Sequence, residues 1–321
     1  MSVTIKDLAK ETGLANATIS AYLNGVPVRE YNRVKIEQAI EKLGYIRNDY
    51  ARGLKTHRSG TVGVLIPELS NVFSTTIITE MEETLREKGY GIIVCDCRSD
   101  LTRENESLRF LISKMVDGLI VMPVSTRQQA LRPALDNHIP TVVIDRKTDA
   151  QEVSHVVINN REVSYQATRR LLLQGCRNIA MIVGDMSVYT AKERCIGYRM
   201  AMQEQDVYDS GYIYNGGLSV QGGYAATKKL LREHPDTQAV FVANYEMTIG
   251  SMIALNEEGK RIGQDIRLMG FDNIEISKAF TLKMETVIQP LEEIGRCAAQ
   301  TLLSMIAGEP ARDIVLQAAI Q

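Results

Sequence analysis

The sequence lacks an apolar stretch of about 20 residues, the length that a membrane-spanning helix needs. Its first residues also lack the apolar core of a secretory signal peptide, and a polar capping pattern stands there instead. These absences argue against a membrane protein and against export. We therefore expect the chain to act in the cytoplasm.

Cysteine and histidine are scarce, and neither is arranged to bind a metal. Five cysteines, an odd number, lie scattered through apolar segments, and four histidines stand apart without the spacing of metal ligands. Cys95 and Cys97 share one face of a predicted strand, too close in sequence for a CxxC-type site. We expect reduced core thiols, structural or surface histidines, and no metal or other cofactor.

Motifs of catalysis are missing as well. The sequence contains no nucleophile elbow, no phosphate-binding Walker loop and no paired histidine and carboxylate set. An enzyme is therefore disfavoured, and we expect a binding protein.

What the chain does have is a globular composition with an uneven distribution of charge. Residues 1–58 carry ten Lys or Arg and six Asp or Glu, a net charge of +4, whereas the whole chain has a net charge of −2. A small basic head on an acidic body fits a protein whose head alone meets the phosphates of a nucleic acid.

The head predicts a helix-turn-helix. Thr4 followed three residues later by Asp7 is a capping signal, Gly13 can end the first helix, and a second short helix is predicted over about 16–23. The second helix of such a pair can lie in the major groove of DNA. An ordinary helical hairpin is the alternative. A third helix, predicted over about 31–43, would close a small core.

The next segment predicts a short hinge helix. Asn48 can cap a helix that holds Ala51, Leu54 and Lys55, but a helix this short is not stable in water by itself. We expect it to be disordered when free and helical when it packs against a partner and DNA. A solvated linker is the alternative.

From Thr61 onward, apolar strands alternate with amphipathic helices. The predicted strands cover residues 62–66, 91–95, 118–122, 141–144, 156–158, 179–183, 239–242 and 266–270. Continuous apolar strands separated by helices form parallel sheets covered on both faces. There are too many strands for one small sheet, and a composition break near residue 159 predicts two α/β lobes in tandem.

The loops after these strands are candidate binding elements, because ligands of such sheets bind at the carboxyl ends of the strands. They combine Asn, Asp and Arg with a few aromatics, which can hydrogen-bond a polar ligand and stack on its apolar face. The candidates are Asn71, Phe73, Arg146, Asn160, Tyr189, Arg194, Asn244, Tyr245 and Asp272. Each of them alone could instead be a turn or cap residue.

Ordered motifs run from residue 3 to about residue 308. They include Val3-Thr4-Ile5-Lys6-Asp7-Leu8-Ala9, Thr18-Ile19-Ser20, Asn48-x-x-Ala51-Arg52-x-Leu54, Ile139-Pro140-Thr141-Val142-Val143-Ile144-Asp145-Arg146, Arg194-x-x-Gly197-Tyr198 and Gly270-Phe271-Asp272. In these motifs the chain resembles the lactose repressor/galactose repressor (LacI/GalR) family of bacterial transcription regulators.

The resemblance implies an α/β fold: an all-α helix-turn-helix headpiece followed by a two-lobed, periplasmic-binding-protein-like core of doubly wound parallel sheets. The implied parts are a headpiece over 1–46, a hinge over 47–59, an N-terminal lobe over 60–159 with 289–308 returning to it, a C-terminal lobe over 160–288, and a tail over 309–321.

The resemblance also implies an effector-responsive regulator, expected to be a repressor, which binds a palindromic operator in double-stranded DNA as a homodimer. Its effector would be a small polar metabolite such as a sugar or sugar derivative. The alternative is a periplasmic-type solute-binding protein, which would need a signal peptide and no basic head. The implied DNA contacts are Thr4, Asn16, Ala17, Thr18, Ser20, Ala21, Asn24, Asn48, Ala51, Leu54 and Lys55, with Leu54 wedged into the minor groove.

Some residues depart from the family pattern. Ala17 and Ala21 offer only methyl contacts where the family reads bases, and Asn16 alone can read an adenine, so we expect weak direct readout. Asn159 and Tyr245 stand where the family usually has aspartates. This loss of two carboxylates predicts a pocket that permits a more aromatic or a negatively charged ligand.

In such a pocket, Arg146 and Arg194 would be the natural partners of a carboxylate or phosphate group.

Overall fold

The structure, a computed structural model, describes residues 3–45, 58–272 and 284–321. The chain divides into two compact units, a headpiece that ends at Ser59 and a core that begins at Gly60. The predicted hinge residues Asn48, Ala51, Leu54 and Lys55 lie outside the described residues.

Three helices form the described part of the headpiece: α1 (Ile5–Thr12), α2 (Asn16–Leu23) and α3 (Glu30–Leu43). The predicted cap of α1 is confirmed, because the Thr4 backbone N–H and hydroxyl both donate to the Asp7 carboxylate, at 2.8 and 2.7 Å. Gly13 ends α1 in the left-handed conformation that glycine adopts without steric cost, with φ at 71°.

A small apolar core joins the three helices. Leu8, Ile19 and Ile36 are fully buried, one from each helix. At the surface, the Tyr22 hydroxyl donates to Glu37 at 2.8 Å and the Lys42 ammonium lies 2.6 Å from Glu11. A core this small supplies little stability, so each of its buried side chains matters.

Two six-stranded sheets form the core unit. The N-terminal sheet contains β1 (Thr61–Ile66), β2 (Gly91–Asp96), β3 (Gly118–Val121), β4 (Thr141–Ile144), β5 (Ser154–Ile158) and β11 (Ile314–Leu316), in the order β11-β5-β4-β3-β1-β2. The C-terminal sheet contains β6 (Ile179–Val183), β7 (Ile213–Asn215), β8 (Ala239–Val242), β9 (Arg267–Phe271), β10 (Glu285–Ile288) and β12 (Ala319–Ile320), in the order β12-β10-β9-β8-β6-β7.

Among the strand pairs in the described part of the chain, only β10 and β12 are antiparallel. The central strands β1, β3, β4, β5, β6, β8 and β9 are almost continuously buried, as parallel strands covered on both faces must be, whereas the edge strands β2, β7, β11 and β12 are more exposed. The predicted fold class, a helical headpiece with a two-lobed parallel α/β core, is confirmed.

Helices cover the sheets on both faces. They are α4 (Val72–Arg86), α5 (Leu101–Ser113), α6 (Arg132–Asp136), α7 (Asn160–Leu173), α8 (Tyr189–Glu204), α9 (Val220–Glu233), α10 (Tyr245–Glu257) and α11 (Leu291–Ile306). Helix α11 packs against α4, β3, β4 and β5, so the chain returns to the N-terminal sheet after β10. In the described part of the chain, no helix is both long and apolar enough to cross a membrane.

The predicted tail over 309–321 is not a free tail. It places β11 beside β5 in the N-terminal sheet and β12 beside β10 in the C-terminal sheet. Asp313 accepts from Nδ1 of the buried His155 at 2.8 Å and lies 2.7 Å from the Lys147 ammonium. Strands of two or three residues are too short to produce a recognisable alternation, which is why the sequence pattern missed them.

Candidate functional site

A cavity of about 360 Å³ lies where the carboxyl ends of strands from both sheets meet. Residues after β1 and β4 line it from the N-terminal sheet, and residues after β6, β8 and β9 line it from the C-terminal sheet. This is the position that parallel α/β sheets give to ligands. Six of the nine predicted residues line it: Asn71, Phe73, Arg146, Arg194, Asn244 and Asp272.

Asn160, Tyr189 and Tyr245 are not among the lining residues, so the structure does not bring them together with the other six in the cavity lining. Asn160 is buried beneath the cavity and accepts a hydrogen bond from Arg194. Tyr245 begins α10, and its backbone N–H, not its ring, donates to Asp272. Tyr189 begins α8 and is half-buried, next to the lining residues Thr190 and Ala191. Loop position was predictable from sequence, but the direction of each side chain was not.

Arg194 is held rigidly by neutral groups. Its side chain is only 4% exposed. Nε donates to Asn160 Oδ1 at 2.8 Å, Nη1 donates to the Ala243 carbonyl at 2.6 Å, and the guanidinium lies 3.5 Å from the centre of the Phe271 ring. Burial lowers the pKa of Arg194, and the charges of Asp272 and Asp145 oppose that shift. Its planar fork is therefore preorganised along the cavity wall.

An aspartate follows one strand of each sheet in an uncommon backbone conformation. Asp145 follows β4 with φ at 65°, and Asp272 follows β9 with φ at 74°. Aspartate tolerates this left-handed region better than most residues, and such strained positions concentrate at binding sites. Asp272 accepts from Gln289 and from the Tyr245 backbone. Burial raises the pKa of Asp272, against the opposing effect of Arg194.

Arg146 is fixed from the side of the N-terminal sheet. Its Nη1 donates to the Pro123 carbonyl at 2.7 Å, and its Nε lies 3.4 Å from the Asp145 carboxylate. Glu104, on α5, supports the loop after β3 that contains Pro123, because its buried carboxylate accepts from the Val124 backbone N–H at 2.6 Å. The arginine head therefore has little freedom to move away from the cavity.

The sequence prediction missed Glu246, which joins the two sides of the cavity. Its Oε1 accepts from Asn71 Nδ2 at 2.5 Å, and its Oε2 accepts from Asn244 Nδ2 at 2.6 Å. Asn71 caps α4 by accepting from the Phe73 backbone N–H, so a helix of the N-terminal sheet is tied to α10. Burial raises the pKa of Glu246, and the nearby Asp272 and Glu68 carboxylates raise it further. In the sequence, the feature that could have indicated Glu246 as a cavity residue is its position two residues after the candidate Asn244.

The cavity contains carboxylates even though Asn159 and Tyr245 are not acidic. Glu68, Asp145, Glu246 and Asp272 all line the cavity. Glu246 supplies a carboxylate one residue beyond Tyr245. A cavity with this many acids does not favour a negatively charged ligand.

Asn159 is used elsewhere in the core. It accepts from the Ala318 backbone N–H at 2.9 Å and donates to the Gln317 side chain at 2.7 Å. Its role in the structure is therefore to hold the segment between β11 and β12.

The described DNA-contact candidates lie on one stretch of the headpiece, from Thr4 to Asn24. Asn16 and Ala17 are exposed in the first turn of α2, and no side chain caps that helix at Ala15. Its first backbone N–H groups are therefore open to a phosphate. Thr18, Ser20 and Ala21 are half-exposed. Asn24 donates to the Ser20 carbonyl at 2.8 Å, so its amide group is already used within the headpiece.

The position of Arg194 depends on the close contact between α7 and α8 at Gly197. A Cβ atom there would lie 2.2 Å from the Arg161 carbonyl oxygen, so the helices must separate in Gly197→Ala. We expect the free energy of unfolding to fall by about 1–3 kcal/mol, the usual cost of overpacking. Urea unfolding of the full chain measures it. Gly91→Ala is the matched control, since a Cβ there meets no heavy atom within 4 Å; equal stability of the two variants would contradict the contact.

Two family profiles match the two units of the chain. "Bacterial regulatory proteins, lacI family" matches residues 4–48, and "Periplasmic binding proteins and sugar binding domain of LacI family" matches residues 59–320. The chain belongs to the LacI family. The interpretation as a transcription regulator is thereby confirmed over the solute-binding alternative.

Relatives of this LacI-family chain match over nearly their whole length. The HTH-type transcriptional repressor PurR of Vibrio atlanticus is 32% identical over 307 residues, which cover 94% of this chain and 92% of the relative. The structure of a CelR–cellobiose complex is 28% identical, covers 99% of this chain and 98% of its own, and has a TM-score of 0.76.

The lac repressor dimer bound to operator and the anti-inducer ONPF shares the fold. Its TM-score is 0.90 at 23% identity, with 100% of this chain and 98% of that chain covered.

Proposed function

We propose that this LacI-family regulator binds a palindromic operator as a homodimer and that a small hydroxylated molecule in the cavity alters its operator affinity. The observation that carries the proposal is the presence in one chain of a helix-turn-helix unit and a polar cavity lined from both sheets. The similar lac repressor structure is a dimer on its operator, and the similar CelR structure contains cellobiose. Both complexes are consistent with this proposal.

The chemistry of the cavity suits a compact, hydroxyl-rich ring. Arg194 and Arg146 offer fixed donors, the acids offer acceptors, and asparagine amides offer both. Phe73 and Leu218 supply apolar surface for a ring face. We infer that the fixed guanidinium of Arg194 orients the ligand.

The contact between Asn71 and Glu246 supplies a route for coupling. It joins the N-terminal half of the cavity to the C-terminal half at one point, so a ligand that competes with it or reinforces it changes the preferred angle between the sheets. A ligand shifts such an equilibrium by its difference in affinity for the two states, typically about 1–3 kcal/mol for coupled sites. We propose that the hinge over residues 47–59, with Leu54 as the minor-groove wedge, transmits this change.

The relatives named above are transcription regulators, and we propose no enzymatic activity for this chain. A regulator that binds a chromosomal operator acts in the cytoplasm. The lobe boundaries near residues 159 and 288, and repression as opposed to activation, belong to the same proposal.

Operator binding is expected to be specific and steeply dependent on salt, because the net positive charge of the head displaces counterions from phosphates. Asn16→Ala should weaken binding to a cognate palindrome by about 1–3 kcal/mol and leave binding to random DNA unchanged. Mobility-shift titrations at several salt concentrations measure both effects. Gln38→Ala, an exposed amide on α3, is the control. Equal affinity of the wild type for palindrome and random DNA would rule out the proposed function.

A further inference from the structure

Among the described residues that line the cavity, negative charge exceeds positive charge. Four carboxylates and two guanidinium groups belong to this described lining. Arg146 lies beside Asp145, and Arg194 faces Asp272 closely enough for each to shift the other's pKa. These two pairs leave Glu68 and Glu246 as the remaining acids of the lining.

Among the described residues, Glu246 contacts asparagine amides and forms no ion pair with a cation. Both of its carboxylate oxygens accept an asparagine N–H, from Asn71 and from Asn244, so the ionised form is the one these contacts satisfy. Within residues 3–45, 58–272 and 284–321, no lysine, arginine or histidine forms an ion pair with it. A half-buried carboxylate without a countercharge is costly, and a positive ligand group would remove that cost.

Glu68 adds a second charge from the opposite sheet. It follows β1, whereas Glu246 follows β8, and the two lie close enough for Glu68 to raise the pKa of Glu246. Glu68 accepts only the Ser70 hydroxyl, at 2.6 Å, among its contacts in the described residues. The charge of Glu68 therefore acts against that of Glu246, whose carboxylate also holds the contact with Asn71 between the two halves of the cavity.

The cavity lining also contains buried polar side chains that can bind a ligand. Arg194 and Asp272 are each more than nine-tenths buried and both line it. Nε and Nη1 of Arg194 have partners, and in the part of the chain that the structure describes Nη2 has no protein acceptor. A ligand hydroxyl or ring oxygen can supply that acceptor while another part of the ligand meets the two glutamates.

We propose that the effector is a hydroxylated amine, such as an amino sugar, whose ammonium group lies between Glu68 and Glu246. The inference rests on the proposed function of the cavity as an effector site. An ammonium has three donors and fits two carboxylates from opposite sides. Its charge replaces the repulsion between the two halves with attraction, so the same group that gives affinity also favours closure.

The test uses matched sugars that differ at one position. Isothermal titration of the full chain compares glucosamine, galactosamine and mannosamine with their neutral parents and N-acetyl derivatives, at a pH at which the amines are protonated. At least one amino sugar is expected to bind about tenfold or more tightly than its parent and its N-acetyl derivative, as a charged hydrogen bond requires.

Charge-removing variants locate the ammonium. Glu246→Gln is expected to reduce the amine preference about tenfold and Glu68→Gln to reduce it by a smaller factor, whereas the exposed control Glu106→Gln leaves it unchanged. Glu68 is itself exposed, so Glu68→Gln reports on the ligand without endangering the fold. Thermal unfolding of Glu246→Gln shows whether that variant is folded.

The possible failures are distinguishable. A parent sugar or a sugar acid that binds as tightly as the amine overturns the inference and leaves the effector site in place. An amine preference that survives both glutamate substitutions also overturns it. If no charged or neutral sugar of the panel binds the wild type, the inference is overturned and the effector site of the proposed function loses its support as well.

Discussion

Arg194→Ala is expected to abolish effector binding and to lower the free energy of unfolding by about 3–5 kcal/mol. The substitution removes a fixed donor from the cavity wall and leaves Asp272 buried without its opposite charge. Asn160 and the Ala243 carbonyl also lose their hydrogen-bond donor. Ligand-induced thermal shifts and urea unfolding measure the two effects separately.

Arg194→Lys separates the loss of binding from the loss of stability. Lysine keeps the positive charge beside Asp272, but one ammonium cannot reproduce the planar fork that holds Asn160, the Ala243 carbonyl and the ligand together. We expect a folded protein whose ligand affinity is reduced by about 10- to 100-fold, the value of one to two charged hydrogen bonds. Unchanged affinity in the folded lysine variant would show that Arg194 does not contact the effector.

Ile36→Ala is expected to abolish operator binding while effector binding stays intact. Ile36 is fully buried in a core that contains few other side chains, and removal of a buried isoleucine costs about 2–5 kcal/mol. A unit as small as the headpiece has little stability beyond that amount. Because the core unit folds around its own sheets, its ligand response is expected to survive.

Val34→Ala is the control on the same helix. Val34 is 39% exposed, so its substitution creates no cavity and should change operator affinity by less than about twofold. Mobility-shift and effector titrations of both variants complete the comparison. An Ile36→Ala protein that binds operator normally would show that the three-helix core is not required for DNA recognition.

The headpiece was predictable because its signals are local. The Thr4 and Asp7 cap, the Gly13 stop and the apolar spacing of α3 each act within one or two helical turns, and the structure confirms all three. Eight of the twelve described strands were predictable for a similar reason, since their apolar runs are continuous, whereas the short β7, β10, β11 and β12 were not predicted. The predicted strand positions were also sufficient to identify six residues that line the cavity.

The rest of the site depends on tertiary packing. Glu246 became a cavity residue because the first turn of α10 aims its second position, and not its first, at Asn71. Asn160 looked like a ligand contact but faces inward, where it holds Arg194. The short β11 and β12 acquire strand geometry only from neighbours far away in sequence. Side-chain directions and strand pairings of this kind depend on contacts between residues far apart in sequence. The hydrophobic periodicity of one segment carries no information about such contacts.

The most direct test of the coupling between cavity and headpiece is operator affinity with and without effector. Fluorescence anisotropy of a labelled palindrome would be measured with the wild type and Arg194→Lys, each with the tightest ligand from the sugar panel. We predict that saturating ligand changes the wild-type Kd for the operator by about 5- to 150-fold and that the variant shows no change at the same ligand concentration. A ligand that binds the wild-type cavity and leaves its operator affinity unaltered would contradict the proposed switch.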